Sequence, residues 1–178
     1  MNAGGHGSDM AASVRSIDHV DLATGVRSQR AADDLDFAYR HSNLGPDDLV
    51  LAATLDLDTG DRETGEQALR EIVSWRRTHQ PGGANAGSVF TNPDGDSAGR
   101  LIDESGAKGH RIGTAEVSPK HANFIQADDG GSADDVMALM RHLVDLVEDR
   151  HGVRLHAETR LVGFTADEVA HVQSGEPS

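Results

Sequence analysis

Residues 132–150 constrain the fold of this chain more than any other stretch. Ser132 and Asp135 form an S-x-x-D capping signature, and Val136, Leu139, Met140, Leu143, Val144 and Val147 recur at three- and four-residue steps, with Gly152 just beyond. That pattern predicts an amphipathic helix with a defined start, one apolar stripe and a glycine stop. Such a helix owes most of its stability to whatever its stripe packs on. The partner must be aliphatic, since the whole chain of 178 residues holds only 4 Phe, 1 Trp and 1 Tyr.

The other elements are read the same way. Val153, Leu155, Ala157, Thr159 and Leu161 alternate with Arg154, His156, Glu158 and Arg160, which predicts a long strand. Residues 14–22 have strand character and end at the turn signal Thr24-Gly25, and 49–58 begin apolar and then alternate. Residues 61–77 read as a helix burying Ala68, Leu69, Ile72, Val73 and Arg76, stopped by His79-Gln80-Pro81-Gly82-Gly83. Short strands are expected at 87–91 and 122–126, and a short helix at 97–105 with Ala98, Leu101 and Ile102 inward and Gly106 as its end. Residues 1–10 read as a glycine-rich loop and the last dozen as frayed. No solenoid-length repeat is present, and the irregular interleaving predicts an α+β fold.

With 30 acidic and 16 basic side chains the net charge is −14. This argues against nucleic acid as a partner but leaves room for a small anion held by a few placed cations. The absence of cysteine excludes disulfides, thiolate zinc sites and thiol nucleophiles. No apolar run approaches the ~20 residues of a bilayer span, and the first residues lack a basic-then-apolar leader, so no membrane partner and a cytoplasmic setting are expected.

Single motifs carry little. Gly4-Gly5-His6-Gly7 lacks the spacing and preceding strand of a dinucleotide loop. Asn92-x-Asp94-x-Asp96 has Ser97 where a calcium loop needs glycine. The 10 histidines show no metal-ligand spacing, so no metal is expected. Ser88 lies outside any G-x-S-x-G elbow, and taken singly Ser88, Arg40 and Glu158 read as a turn serine, a surface cation and an exposed strand carboxylate.

Their order along the chain says more. Asn2-Ala3-Gly4-Gly5-His6-Gly7, Tyr39-Arg40-His41-Ser42, Arg76-Arg77-Thr78-His79-Gln80-Pro81, Gly87-Ser88-Val89-Phe90-Thr91-Asn92-Pro93, His121-Ala122-Asn123-Phe124-Ile125 and Glu158 before Val162-Gly163 follow one another over residues 1–164. The set resembles the UDP-N-acetylenolpyruvoylglucosamine reductases (the MurB family) of peptidoglycan precursor synthesis. The short interval between Arg40 and Ser88 and the His-Ala-Asn string are similar to the compact type II subgroup.

The resemblance implies an FAD- and NADPH-dependent reduction of UDP-N-acetylglucosamine enolpyruvate to UDP-N-acetylmuramate. It places the proton donor at Ser88 and the residues that stabilise the enolic intermediate at Arg40 and Glu158. A bare carboxylate would oppose an enolate, so Glu158 is expected to be protonated there or to orient a donor. Tyr39, Asn92 and His79 match substrate-binding positions, His79 standing where many relatives carry lysine; Asn2, Gly4 and Gly7 match cofactor-binding ones. The implied architecture is α+β: residues 1–62 as the end of an FAD-binding module of the PCMH/VAO-like type, 63–164 as the substrate-binding domain, and 165–178 as a flexible tail. The family's N-terminal FAD-binding region precedes the Asn-Ala-Gly segment. The chain is therefore expected to be a fragment that binds FAD poorly and has doubtful activity alone, with that half as its missing partner. The rival readings are a non-catalytic UDP-sugar-binding or regulatory module and a cofactor-free structural protein.

Overall fold

A computed structural model describes residues 1–173 and divides at Ile72/Val73 into two units. In the first, β1 (Gly4–Gly5) and β2 (Ser8–Asp9) pair antiparallel. His6 (φ 54°) and Gly7 (φ 83°) both occupy the left-handed region, as a tight two-residue hairpin turn requires. The expected plain loop is therefore a hairpin, hidden because its strands are glycine, serine and aspartate. The Asn2 side chain is buried behind it, its Oδ1 accepting from the Ala11 N–H (2.9 Å) and its Nδ2 donating to Asp9 (2.9 Å).

β3 (Val14–Asp21), β4 (Arg27–Ala31) and β5 (Asp48–Leu55) form an antiparallel sheet in the order β4-β3-β5. β3 and β5 stand close to where their patterns put them, and Gly25 (φ 70°) turns the chain into β4. β4 itself had no apolar alternation to announce it; Arg27, Ser28, Gln29 and Arg30 are all polar. Val14, Ile17 and Leu35 make this unit's small core.

α1 (Arg62–His79) runs across the division. Asp61 caps it by accepting from the Thr64 N–H and hydroxyl, both at 2.8 Å, and Glu66 pairs with Arg62 and Arg70 one turn to either side. The helix is as expected, but its stripe is not buried: no α1 residue is, and Leu69 is 64% exposed. Local caps and ion pairs account for the helix where burial does not.

The second unit contains β6 (Ala84–Asn85), α2 (Ala98–Glu104), β7 (Arg111–Ile112), β8 (Ala115–Val117), β9 (Ile125–Ala127), α3 (Ala133–His151) and α4 (Ala166–Gln173). Its sheet is antiparallel in the order β6-β9-β8-β7, and α3 packs on β7 and β8 and against α2 and α4. Leu139, Met140, Leu143, Val144 and Val147 of α3 are buried with Leu101, Ile102, Phe90, Leu155 and Val172, the aliphatic core the composition demands.

Ser132 caps α3 by accepting from the Asp134 N–H, and Gly152 (φ 67°) ends it. Asp135 does not complete a capping box. Its carboxylate turns to the Thr114 N–H (2.8 Å) and hydroxyl (2.7 Å), which holds it below the usual carboxylate range, while the Thr114 hydroxyl oxygen takes the Ser132 N–H (2.8 Å).

Two readings of the last third are corrected. Residues 153–161 are not a continuous strand: of them only Ala157 makes a β-bridge, to Phe90, and the Ala157 N–H turns away to a carbonyl of the following segment. Residues 166–173, read as frayed or flexible tail, are helical. Thr165 and Glu168 form a reciprocal capping box, and Val172 is fully buried with its carbonyl accepting from the Ala157 N–H (2.9 Å). The rest of the expected tail, 174–178, lies outside the described residues.

Candidate functional site

In the second unit the site is built around Ser88. Asn85 Oδ1 accepts from the Gly87 N–H (3.0 Å), and Gly87 takes φ 81°, a conformation only glycine adopts without strain. Past Ser88 the chain is anchored by Val89 and Phe90, 3% and 1% exposed. The half-buried serine thus sits between a turn and two core side chains.

Both edges of this segment are engaged. On one, the Val89 N–H donates to the Asn123 carbonyl (2.9 Å), the Phe90 N–H to Asn123 Oδ1 (3.0 Å), and Asn123 Nδ2 to the Phe90 carbonyl (2.8 Å). On the other, the Val89 carbonyl accepts from the Glu158 N–H (2.8 Å) and the Thr159 N–H (3.3 Å). Ser88 and Glu158, distant in sequence, therefore lie on neighbouring strands of backbone. The pairing continues through the Thr91 N–H to the His156 carbonyl (2.9 Å).

Asn92 begins the following loop. Its Oδ1 accepts from the Ala98 N–H (3.1 Å), helping to start α2, and its amide N–H donors remain as its other polar group. Behind it Arg100 grips Asp96, and with the Ser97 N–H holds the Asp96 carboxyl down at about 2. His79 ends α1 with Nδ1 2.8 Å from the Trp75 carbonyl and its ring stacked on Trp75 at 4.5 Å. A nitrogen facing a carbonyl must carry the proton, so neutral His79 presents Nε2 as an acceptor. Arg76 and Arg77 share that last turn, and Lys120 Nζ donates to the Arg77 carbonyl (2.6 Å).

Tyr39 and Arg40 belong to the first unit. They form a two-residue turn closed by the His41 N–H on the Ala38 carbonyl (3.1 Å), with Arg40 at φ 52° and its guanidinium 5.2 Å from the Tyr39 ring centre. A branched-free but Cβ-bearing residue in the left-handed region costs of order 1 kcal/mol or more, and such strain clusters at functional sites. The Asn2 N–H donates to the His41 carbonyl (3.2 Å), so the Asn2 segment and the Arg40 turn adjoin. A Cβ at Gly4 would press on Asp9 and Ser8, whereas one at Gly5 or Gly7 would meet open space.

The structure thus sets Glu158 opposite Val89, next to Ser88, in one unit, and brings Arg40, Tyr39 and Asn2 together in the other. Sequence reasoning quoted Asn123 only as part of a string and gave it no role; the signal was an amide set among Ala122, Phe124 and Ile125, all of them buried.

Residues 79–162 match the family described as UDP-N-acetylenolpyruvoylglucosamine reductase, C-terminal domain. The chain is 43% identical to the UDP-N-acetylenolpyruvoylglucosamine reductase of Heliobacterium modesticaldum, over 95% of this chain and 54% of that protein. It is 44% identical to UDP-N-acetylenolpyruvoylglucosamine reductase 2 of Symbiobacterium thermophilum, over 92% of this chain and 53% of that protein. The crystal structure of the reductase from Thermus caldophilus superposes with a TM-score of 0.77 at 34% identity, covering 90% of this chain and 57% of that one. The chain spans about half the length of the curated relatives it matches.

Proposed function

We propose that this chain, whose residues 79–162 match the C-terminal domain model of the UDP-N-acetylenolpyruvoylglucosamine reductases, supplies the proton-donating and substrate-holding part of an oxidoreductase of that kind. The reaction is the reduction of the enolpyruvyl double bond of UDP-N-acetylglucosamine enolpyruvate to UDP-N-acetylmuramate, in cytoplasmic peptidoglycan precursor synthesis. A bound FAD, reduced by NADPH, would supply the hydride chemistry that such a reduction needs. The Ser88 hydroxyl gives its proton to one carbon of that double bond. Charge pushed onto the substrate carboxylate is met by the Arg40 guanidinium, whose fixed planar donors stabilise an enediolate better than water does. Glu158, protonated or orienting a donor, completes the set, and Tyr39, Asn92 and His79 hold the nucleotide sugar.

The observation that supports this reading is the backbone pairing that sets Glu158 opposite Val89, the residue that follows Ser88 in the chain. A serine is a weak acid, and only positioning makes it an effective proton donor to a carbanionic carbon.

The first unit fits a flavin in part. Gly5 and Gly7 leave bare backbone that a ring or pyrophosphate could approach, and Gly4 is tightly packed on the hairpin itself. Asn2, whose amide is already engaged with Asp9 and Ala11, would shape the hairpin and would touch FAD through its backbone at most. Most of the flavin contacts are assigned to a family half outside the matched region, which acts as the partner.

The test is the chain combined with the flavin-binding half of a relative. Substrate-dependent NADPH oxidation, lost in Ser88→Ala, supports the proposal; a flavin-loaded assembly with no such activity overturns it. A second reading, a non-catalytic UDP-sugar-binding or regulatory module, draws on the second unit having its own core. It predicts UDP-sugar binding by the chain alone, measured by calorimetry without flavin.

A further inference from the structure

The segment that carries Ser88 is not part of a regular sheet: of residues 88–91 only Phe90 makes a β-bridge, to Ala157. On its other edge the described residues form no strand, yet its polar groups are answered. One residue answers them. Asn123 gives its main-chain carbonyl to the Val89 N–H and, through its side chain, both accepts from the Phe90 N–H and donates to the Phe90 carbonyl. A planar amide, with acceptor and donor side by side, reproduces the pair of groups that a neighbouring strand would offer. It does so while 4% exposed, where an amide is tolerated only if hydrogen-bonded.

Asn123 is itself held. Its N–H donates to His121 Nδ1 (3.3 Å), and the His121 ring lies edge-on to Phe124 at 4.7 Å. Gly99 of α2 leaves the room: a Cβ there would stand 3.3 Å from His121 Cε1 and 3.6 Å from the Asn123 Cβ.

We propose that Asn123 is a positioning residue for the Ser88 proton donor, acting through the backbone of Val89 and Phe90 as a one-residue substitute for a sheet strand. With Asn123 on one edge and Glu158 on the other, Val89 has both main-chain groups fixed, and Ser88 is the next residue back. The inference rests on the reading of Ser88 as proton donor, but its structural half is measurable without it.

In the full chain, Asn123→Ala should lower amide hydrogen-exchange protection at Phe90 by about tenfold or more while Leu143 in α3 keeps its protection. Unchanged protection at Phe90, or an equal loss at Leu143, overturns the proposal. Asn123→Asp adds a readout that general loosening would not give. Its carboxylate faces the Phe90 carbonyl without a proton to donate, whereas the neutral acid restores a donor, so protection at Phe90 relative to wild type should recover between about pH 7 and pH 5. It serves alone if Asn123→Ala does not fold, and failure to recover counts against the idea. In the assembled reductase, Asn123→Ala should lower kcat with KM unchanged. If that assembly is inert even with Asn123 present, the Ser88 reading falls, while the exchange result still decides what Asn123 does to the backbone.

Discussion

Glu158 donates its backbone N–H to the carbonyl of Val89 at 2.8 Å. That bond joins two stretches with no local reason to meet, and it sets the carboxyl-bearing residue of one opposite the residue that follows the serine of the other. The pairing follows from burial on both sides: Val89 and Phe90 enter the core from one segment and Leu155 from the other.

Removing the Ser88 hydroxyl should leave the fold intact, because Ser88 is anchored by its neighbours. With Ser88 as the proposed proton donor, Ser88→Ala in the chain combined with a flavin-binding half should slow substrate reduction by roughly 10²–10⁴-fold, the usual contribution of a positioned donor. NADPH-dependent flavin bleaching should be unaffected. Stopped-flow absorbance of the two half-reactions separates these outcomes.

Arg40→Lys keeps the charge but loses the planar fork. Turnover should fall by about 10²-fold or more, of the order seen when one charge-stabilising donor is removed. Thermal melts should differ little, since both side chains meet the same left-handed backbone. Full activity of Arg40→Lys would remove Arg40 from the proposed mechanism.

Gly113→Ala tests the packing under α3. Gly113 stands at φ 53°, and a Cβ there would overlap the Asp135 carboxylate that caps Thr114. Backbone strain and overpacking together predict a loss of about 2–4 kcal/mol, read from chemical denaturation. Gly109→Ala, with open space around its Cβ at φ 74°, should cost only the backbone part.

Stability should fall on mild acidification. Burial pushes His121 and His142 below the ordinary histidine value of 6.5, His142 also through its stacked neighbour His110. A lowered folded value means that the unfolded chain binds the proton more readily, so this stability is present above about pH 6.5 and is lost as pH falls below it. Melting temperatures across about pH 5–7.5 should show that slope, and replacing His142 with Gln should flatten it.

Elements whose signals are local were legible. Ser132 and Gly152 delimit α3, and Thr165 with Glu168 carry the same kind of start signal for α4 in the sequence itself. Elements defined by their partners were not. Val153 to Leu161 alternate as a strand should, but alternation cannot supply a neighbour, and the facing segment gives them a single β-bridge, Phe90 to Ala157. Leu69 and Val73 make a good stripe on a helix that buries no residue. In the site, the type of each residue was readable and its company was not. Nothing in the spacing says that Asn92 spends its oxygen on α2, or that Asn2 spends its amide on a hairpin.

The left-handed backbone of Arg40 has an implication for engineering this chain. Glycine would relax that turn at once, and a search guided by folding alone would choose it. Glycine also carries no cation. A stabilised variant selected only on its melting temperature is thus drawn toward losing the guanidinium, so under the role proposed for Arg40 a thermostability screen needs an activity counter-selection at position 40.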